Sequence, residues 1–197
     1  MPRHADHDAR RLQVLTALVR CARRSGVHDL GYRDVAAEAG VSLRLVQYYF
    51  PSKHELLLAG LGHVRRRIAA RIDERLAELP DPTEVRARLA VVLEGLLPVD
   101  EAGRDLTVVH HAFGAMALTD PTIPASPFSA VNRDLHTDMV RTLTGLGVGE
   151  DVVEREAAAL IGLATGLGVG VVFGQFDVEI ARAALHHHLG HLDGAPT

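Results

Sequence analysis

Residues 32–55 read YRDVAAEAGVSLRLVQYYFPSKHE, and this stretch decides how the rest of the chain is read. Two short helical patterns flank Ala39-Gly40-Val41, where Gly40 can take the left-handed conformation that joins two helices at a steep angle. Val35, Ala36, Ala39, Val41, Val46 and Phe50 have the spacing of a small core between crossed helices. Ser42 is placed to cap the second helix and Pro51 to end it. Ser52-Lys53-His54-Glu55 then forms a capping box for a longer helix. Leu43, Arg44, Gln47, Tyr48 and Tyr49 are left facing away from the small core. Arg and Gln make paired hydrogen bonds to guanine and adenine edges, and tyrosine stacks or reaches phosphate. Tyr49-Phe50 alone would suit ordinary core packing. The caps, the local charge and the base-reading set on one helix favour DNA binding.

Charge supports a local basic face. Residues 1–54 carry nine Arg or Lys against five Asp or Glu, and residues 55–197 carry twelve against twenty, within a net charge of −4. Phosphate binding is therefore expected at the front of the chain rather than over its whole surface. Lys53, the chain's single lysine, falls in the first turn of a helix, where backbone N–H groups and the dipole also favour an anion.

Outward from this segment the periodicity is helical and β-type alternation is scarce. Before it, Leu12, Leu15, Val19 and Ala22 recur on one face of a first helix that Ser25-Gly26 ends. After it, Leu57, Leu61, Val64, Ile68, Ile72, Leu76 and Leu79 mark a long helix closed by Pro80. Asp81-Pro82-Thr83-Glu84 reads as the capped start of the next. Further helices are expected over 101–118 and 129–146, with a Pro-rich loop at 119–127 between them. An apolar helix opens at Asp151 with Glu154, and a last one starts at Asp177. The expected fold is all-α, with about nine helices. Residues 1–54 form the DNA-binding domain and 55–197 a second helical domain.

Residues 10–60 resemble the TetR family of one-component repressors. The resemblance is carried by the first helix, Tyr32-Arg33-Asp34-Val35-Ala36, Ala39-Gly40-Val41-Ser42, Tyr49-Phe50, Ser52-Lys53 and Leu56-Leu57. It implies a transcriptional repressor that binds a palindromic operator as a homodimer and is released by a small molecule held in the C-terminal domain. Position by position, it puts Arg33, Leu43, Arg44, Gln47, Tyr48, Tyr49 and Lys53 at DNA. Gly31 stands where a capping Thr or Ser is usual.

The second half offers two further sites. Val109, His110, Phe113, Met116, Leu135 and Met139 suggest an adaptable apolar pocket, with His110 or Asn132 as its polar contact. A mainly hydrophobic or flat aromatic ligand would suit it; His110 could equally be a hydrogen-bonded core residue. Ala158, Gly162, Gly166, Gly170 and Gly174 recur every four residues. Glycine in a helix costs about 1 kcal/mol relative to alanine, so the ridge calls for a packing reason. With Ala181, Leu185 and Leu189 of the last helix it is expected to form the homodimer interface; packing on the chain's own core is the alternative.

Other classes fit less well. Cys21 is the only cysteine, so no intrachain disulfide forms, and with no secretory h-region a cytoplasmic protein is expected. Ala157–Gly174 carries no charge but five glycines, and reads as a buried helix rather than a membrane span. His187 and His191 have zinc-ligand spacing without a third ligand nearby, and His186–His188 reads as a solvated stretch. No nucleophile elbow, Walker loop or dinucleotide fingerprint is present, so neither an enzyme nor a cofactor or metal site is expected.

Overall fold

The computed structural model describes the backbone of residues 2–120 and 126–192, and side chains at 6–120 and 133–192. Among these residues it is all-helical: α1 (Pro2–Ser25), α2 (Tyr32–Ala39), α3 (Leu43–Tyr49), α4 (Lys53–Ala77), α5 (Val85–Glu94), α6 (Glu101–Thr119), α7 (Ser126–Gly145), α8 (Val153–Val172) and α9 (Val178–Gly190). They pack as two compact units, Met1–Arg67 with Val108–Pro127, and Ile68–Thr107 with Phe128–Thr197. The first unit runs past the expected 54/55 boundary and takes in residues from Val108 on.

In the first unit the steep α2–α3 turn is built as its residues dictate. Gly40 sits at φ 64°, ψ 35°, and the Val41 N–H closes on the Ala36 carbonyl at 3.0 Å, satisfying a helix-end acceptor. Ser42 Oγ accepts from the Leu45 N–H at 3.2 Å and caps α3. Ser52 Oγ accepts from the Glu55 N–H at 3.1 Å and caps α4. Val35, Ala36, Ala39, Val46 and Phe50 are all buried, as the spacing requires.

The buried face of α1 agrees with the sequence reading at Leu15 and Ala22 and departs from it at Leu12 and Val19. That face is Val14, Leu15, Ala17, Leu18, Cys21 and Ala22, whereas Leu12 is half exposed. Docking on α2 sets that phase. Gln13 donates to the Ala39 carbonyl at 2.7 Å, while Arg20 and Arg24 reach Glu38 at 2.6 and 2.9 Å. These two guanidiniums hold the Glu38 carboxyl below its ordinary range. Part of the basic surplus of the N-terminal segment thus fastens helices together.

The second unit is centred on Leu89, Leu93, Leu143, Ala157, Leu160, Ala164, Ala181 and Leu185. Two local expectations are corrected there. Asp81 does not cap a helix: its carboxylate accepts from the N–H and hydroxyl of Thr83 at 2.8 and 2.6 Å, an Asx turn, and α5 starts only at Val85. Likewise α8 starts at Val153 without a side-chain cap. Asp177 does cap α9, accepting from the Ile180 N–H at 2.9 Å.

One polar cluster lies inside this unit. Glu94 is buried and bonded to Arg75 at 2.6 Å and His186 at 2.6 Å, with Arg182 at 3.3 Å. Burial pushes its carboxyl up, but the His186 and Arg75 bonds and both guanidinium charges outweigh that and hold it below its usual range. His186 is exposed, as a solvated stretch requires, but its Nε2 also reaches the buried Glu94 carboxylate.

α8 is long and apolar enough to cross a membrane by length and composition. Its Val153, Ala157, Leu160, Ala164, Gly168 and Val171 face the unit's own core, so one side of the helix is already committed to protein packing.

Candidate functional site

α3 projects its polar side chains outward because its apolar ones are consumed inward. Val46 and, just past the helix, Phe50 are buried; Arg44, Gln47 and Tyr48 are exposed, and Leu43 and Tyr49 half-buried. Tyr48 is 69% exposed. Arg44 and Gln47 lie three residues apart and so share one face of a helix narrow enough for a major groove. Arg33, on α2, is exposed too, and neither it nor Arg44 makes an ion pair among the described residues.

Tyr32 donates its hydroxyl to the Phe50 carbonyl at 2.7 Å and ties the end of α3 back to the start of α2; burial, then the Glu55 charge, raises its pKa. Lys53 Nζ donates to the His28 carbonyl at 3.2 Å while remaining exposed. Gly31 precedes α2 with no side-chain cap, and a Cβ there would come within 2.9 Å of Asp34 Oδ2.

The expected pocket residues divide between the units. Val109, Phe113 and Met116 are buried in the first, and Phe113 packs closely enough on Gly60 that a Cβ there would lie 3.3 Å from its ring and 2.6 Å from Leu18. Met139 is buried and Leu135 half-buried in the second unit, and the Asn132 side chain lies outside the described residues. Sequence reasoning passed over His63, 3% exposed on α4, whose Nε2 has no hydrogen-bond partner among the described residues. Desolvation, then the charges of Arg67 and Arg66, lower its pKa. His110 is depressed to about 4 by desolvation, His111 and Arg65, so it stands neutral at physiological pH.

The glycine ridge of α8 divides as well. Ala158, Gly162 and Gly166 are exposed, with open space at both glycines. Gly170 is covered by the Phe176 ring, and Gly174 lies beyond the helix at φ 70°, turning the chain toward α9. Ala181, Leu185 and Leu189 are buried inside the single chain and cannot face a partner. Phe173 and Ile180, 76% and 56% exposed, are the large apolar side chains left open on these elements. Their exposure was not visible in a pattern that groups all apolar residues together.

Known proteins agree with this geometry. Residues 14–59 match the model for bacterial regulatory proteins of the tetR family, and residues 82–194 that for the C-terminal region of BetI-type transcriptional repressors. The transcriptional regulator BetI of Vibrio campbellii is 26% identical over 192 residues, 96% of this chain and 94% of that protein. A transcriptional regulator from Rhodococcus sp. Rha1 superposes with a TM-score of 0.78 at 27% identity, over 91% of this chain and 94% of that one. A regulator from Saccharomonospora viridis, solved in complex with choline, gives 0.76 at 29% identity over 93% and 96%. The helix-turn-helix geometry and the match along both halves lead to one conclusion: this chain belongs to the TetR family of transcriptional regulators.

Proposed function

We propose that the protein is a cytoplasmic repressor, not an enzyme, that binds a palindromic operator as a homodimer and is released by a small, mainly apolar molecule. The outward set on α3 is the observation that carries this reading. Arg44 and Gln47 enter the major groove and read bases, with Leu43 and Tyr48 beside them. Tyr49, Lys53 and Arg33 hold phosphate and fix the register. Two such helices in a two-fold dimer read two half-sites about 34 Å apart. The open face of α8, from Ala158 through Gly162 and Gly166 to Phe173, with Ile180 of α9, is the surface proposed for that dimer.

Choline is the rival effector, suggested by the BetI-type match and the choline-bound relative. Two observations weigh against it. Quaternary ammonium ions are held in aromatic cages, for which Trp serves best; this chain has no Trp, and its three Tyr are Tyr32, Tyr48 and Tyr49, all in the segment proposed to read DNA, so a cage would have to be built from its five Phe. Glu94, the only buried acid among the described residues, is already engaged by two guanidiniums and an imidazole.

Selection of bound sequences from random DNA with the pure protein tests the central reading; a two-fold symmetric consensus is expected, and enrichment of no sequence would overturn it. Titrating the resulting complex with choline and with a set of flat aromatic compounds decides the effector class. Release by choline at low concentration, with no response to the aromatic set, would replace the apolar ligand by a cation.

A further inference from the structure

The family match begins at residue 14, but α1 begins at Pro2, which puts about 18 Å of helix ahead of the matched segment. That extension is in contact with α3. The His7 ring meets the Tyr49 ring edge-on, 4.6 Å between centroids and 78° between planes, and reaches Tyr48 at 6.2 Å and 76°. Tyr48 and Tyr49 stand edge-on to each other at 5.4 Å, and Tyr49 lies 6.4 Å from Phe50. One turn along α1, the Arg11 guanidinium sits over the Phe50 ring at 5.1 Å. Residues 7 and 11 thus bracket the aromatic run 48–50 from the same helix face, one at its exposed end and one at its buried end.

We propose that this extension of α1 belongs to the operator-reading surface, with His7 as a positioning residue that presets Tyr48 and Tyr49 for DNA. The inference rests on the reading of α3 as the helix that meets the operator. The His7 side chain is 45% exposed and Tyr48 69%, so their contact shields little apolar surface and adds little to folding. What it removes is rotational freedom in two rings that DNA would otherwise have to immobilise. Edge-to-face geometry suits that purpose, because it fixes the ring planes while Tyr48 stays 69% exposed. Arg11 acts at the other end, anchoring the extension to a buried ring so that His7 meets the tyrosines in one register.

The test uses the full-length protein and the operator recovered by selection. His7→Ala is expected to weaken operator binding about tenfold, equally across single-base operator variants, with an unchanged melting temperature. His7→Phe keeps a ring edge without a titratable nitrogen and is expected to restore affinity to within about twofold. Wild-type affinity in His7→Ala overturns the proposal. So does a His7→Phe variant as weak as His7→Ala, since the operator would then be sensing the imidazole nitrogens and not the ring orientation. Tyr48→Ala and Tyr49→Ala separate this failure from a deeper one. If both bind normally while Arg44→Ala and Gln47→Ala do not, the positioning role falls and the α3 reading stands. If all four bind normally, the α3 reading itself falls.

Discussion

Acidification is expected to destabilise the protein through His110 well before its carboxylates are neutralised. The imidazole lies largely buried on α6, its ring 5.6 Å from that of His111 and within the field of Arg65 on α4. Desolvation and these neighbours lower its pKa from 6.5 to about 4. In the unfolded chain His110 takes a proton as pH falls through 6.5; in the folded chain it does not until about 4. The unfolded state therefore binds more protons throughout that window. The stability attached to a neutral His110 is complete above pH 6.5 and declines progressively down to pH 4. At about 1.4 kcal/mol per pH unit, the decline is about 3 kcal/mol. His63 and His111 are shifted in the same direction by burial and add to the slope. Urea unfolding followed by circular dichroism from pH 7 to pH 4 measures it, with His110→Phe as the non-titrating reference. The variant is expected to lose about 3 kcal/mol less than the wild type over that range. Equal losses in the two proteins, or an imidazole titrating at 6.5 or above in an NMR titration of the folded state, would refute the reasoning.

Arg44→Ala or Gln47→Ala should relax preference at one symmetric pair of operator positions by about 1–3 kcal/mol, read from affinities across single-base variants. Lys53→Ala should weaken all sequences alike. It should also flatten the salt dependence of log affinity by about one unit for each phosphate that a subunit no longer neutralises, measured at several salt concentrations. Gly166→Leu, with open space at its Cβ, should shift the protein toward monomer in sedimentation experiments without lowering monomer stability. Gly168→Ala should instead cost about 1–3 kcal/mol in urea unfolding, because its Cβ would lie 2.9 Å from the Leu96 carbonyl oxygen, a backbone atom that cannot easily move.

Whatever depends on a few adjacent residues was legible in the sequence. Gly40, Ser42 and Ser52 occupy the turn and caps assigned to them, because φ preference and a side chain reaching three residues ahead are local chemistry. The outward set on α3 was legible for a related reason: burying Val46 and Phe50 leaves Arg44, Gln47 and Tyr48 no other direction. Asp81 shows the limit of local signals, since the same carboxylate serves an Asx turn as readily as a cap, and Thr83 supplies both donors for the turn.

Contacts between distant segments left no such mark. Glu94 is 19 residues from Arg75 and 92 from His186, and no spacing rule brings those three together. On α1, Leu12 and Val19 fit a helical stripe with Leu15 as well as Val14 and Leu18 do; contacts with Ala39 and Glu38 on α2 decide between them. The same ambiguity governs the last two helices. A stripe at positions 181, 185 and 189 demands burial without saying by what, and the chain itself answers that demand. Once those residues are used internally, the proposed partner subunit can only meet what remains on the opposite side. That remainder is a smooth strip at 158, 162 and 166 with Phe173 and Ile180 left open. Small residues let a second helix approach closely, and two large apolar side chains give that approach something to bury. The glycine ridge therefore stays open at Gly162 and Gly166, the surface proposed for the dimer, whereas at Gly170 and Gly174 a neighbouring ring and a left-handed turn already account for the glycine.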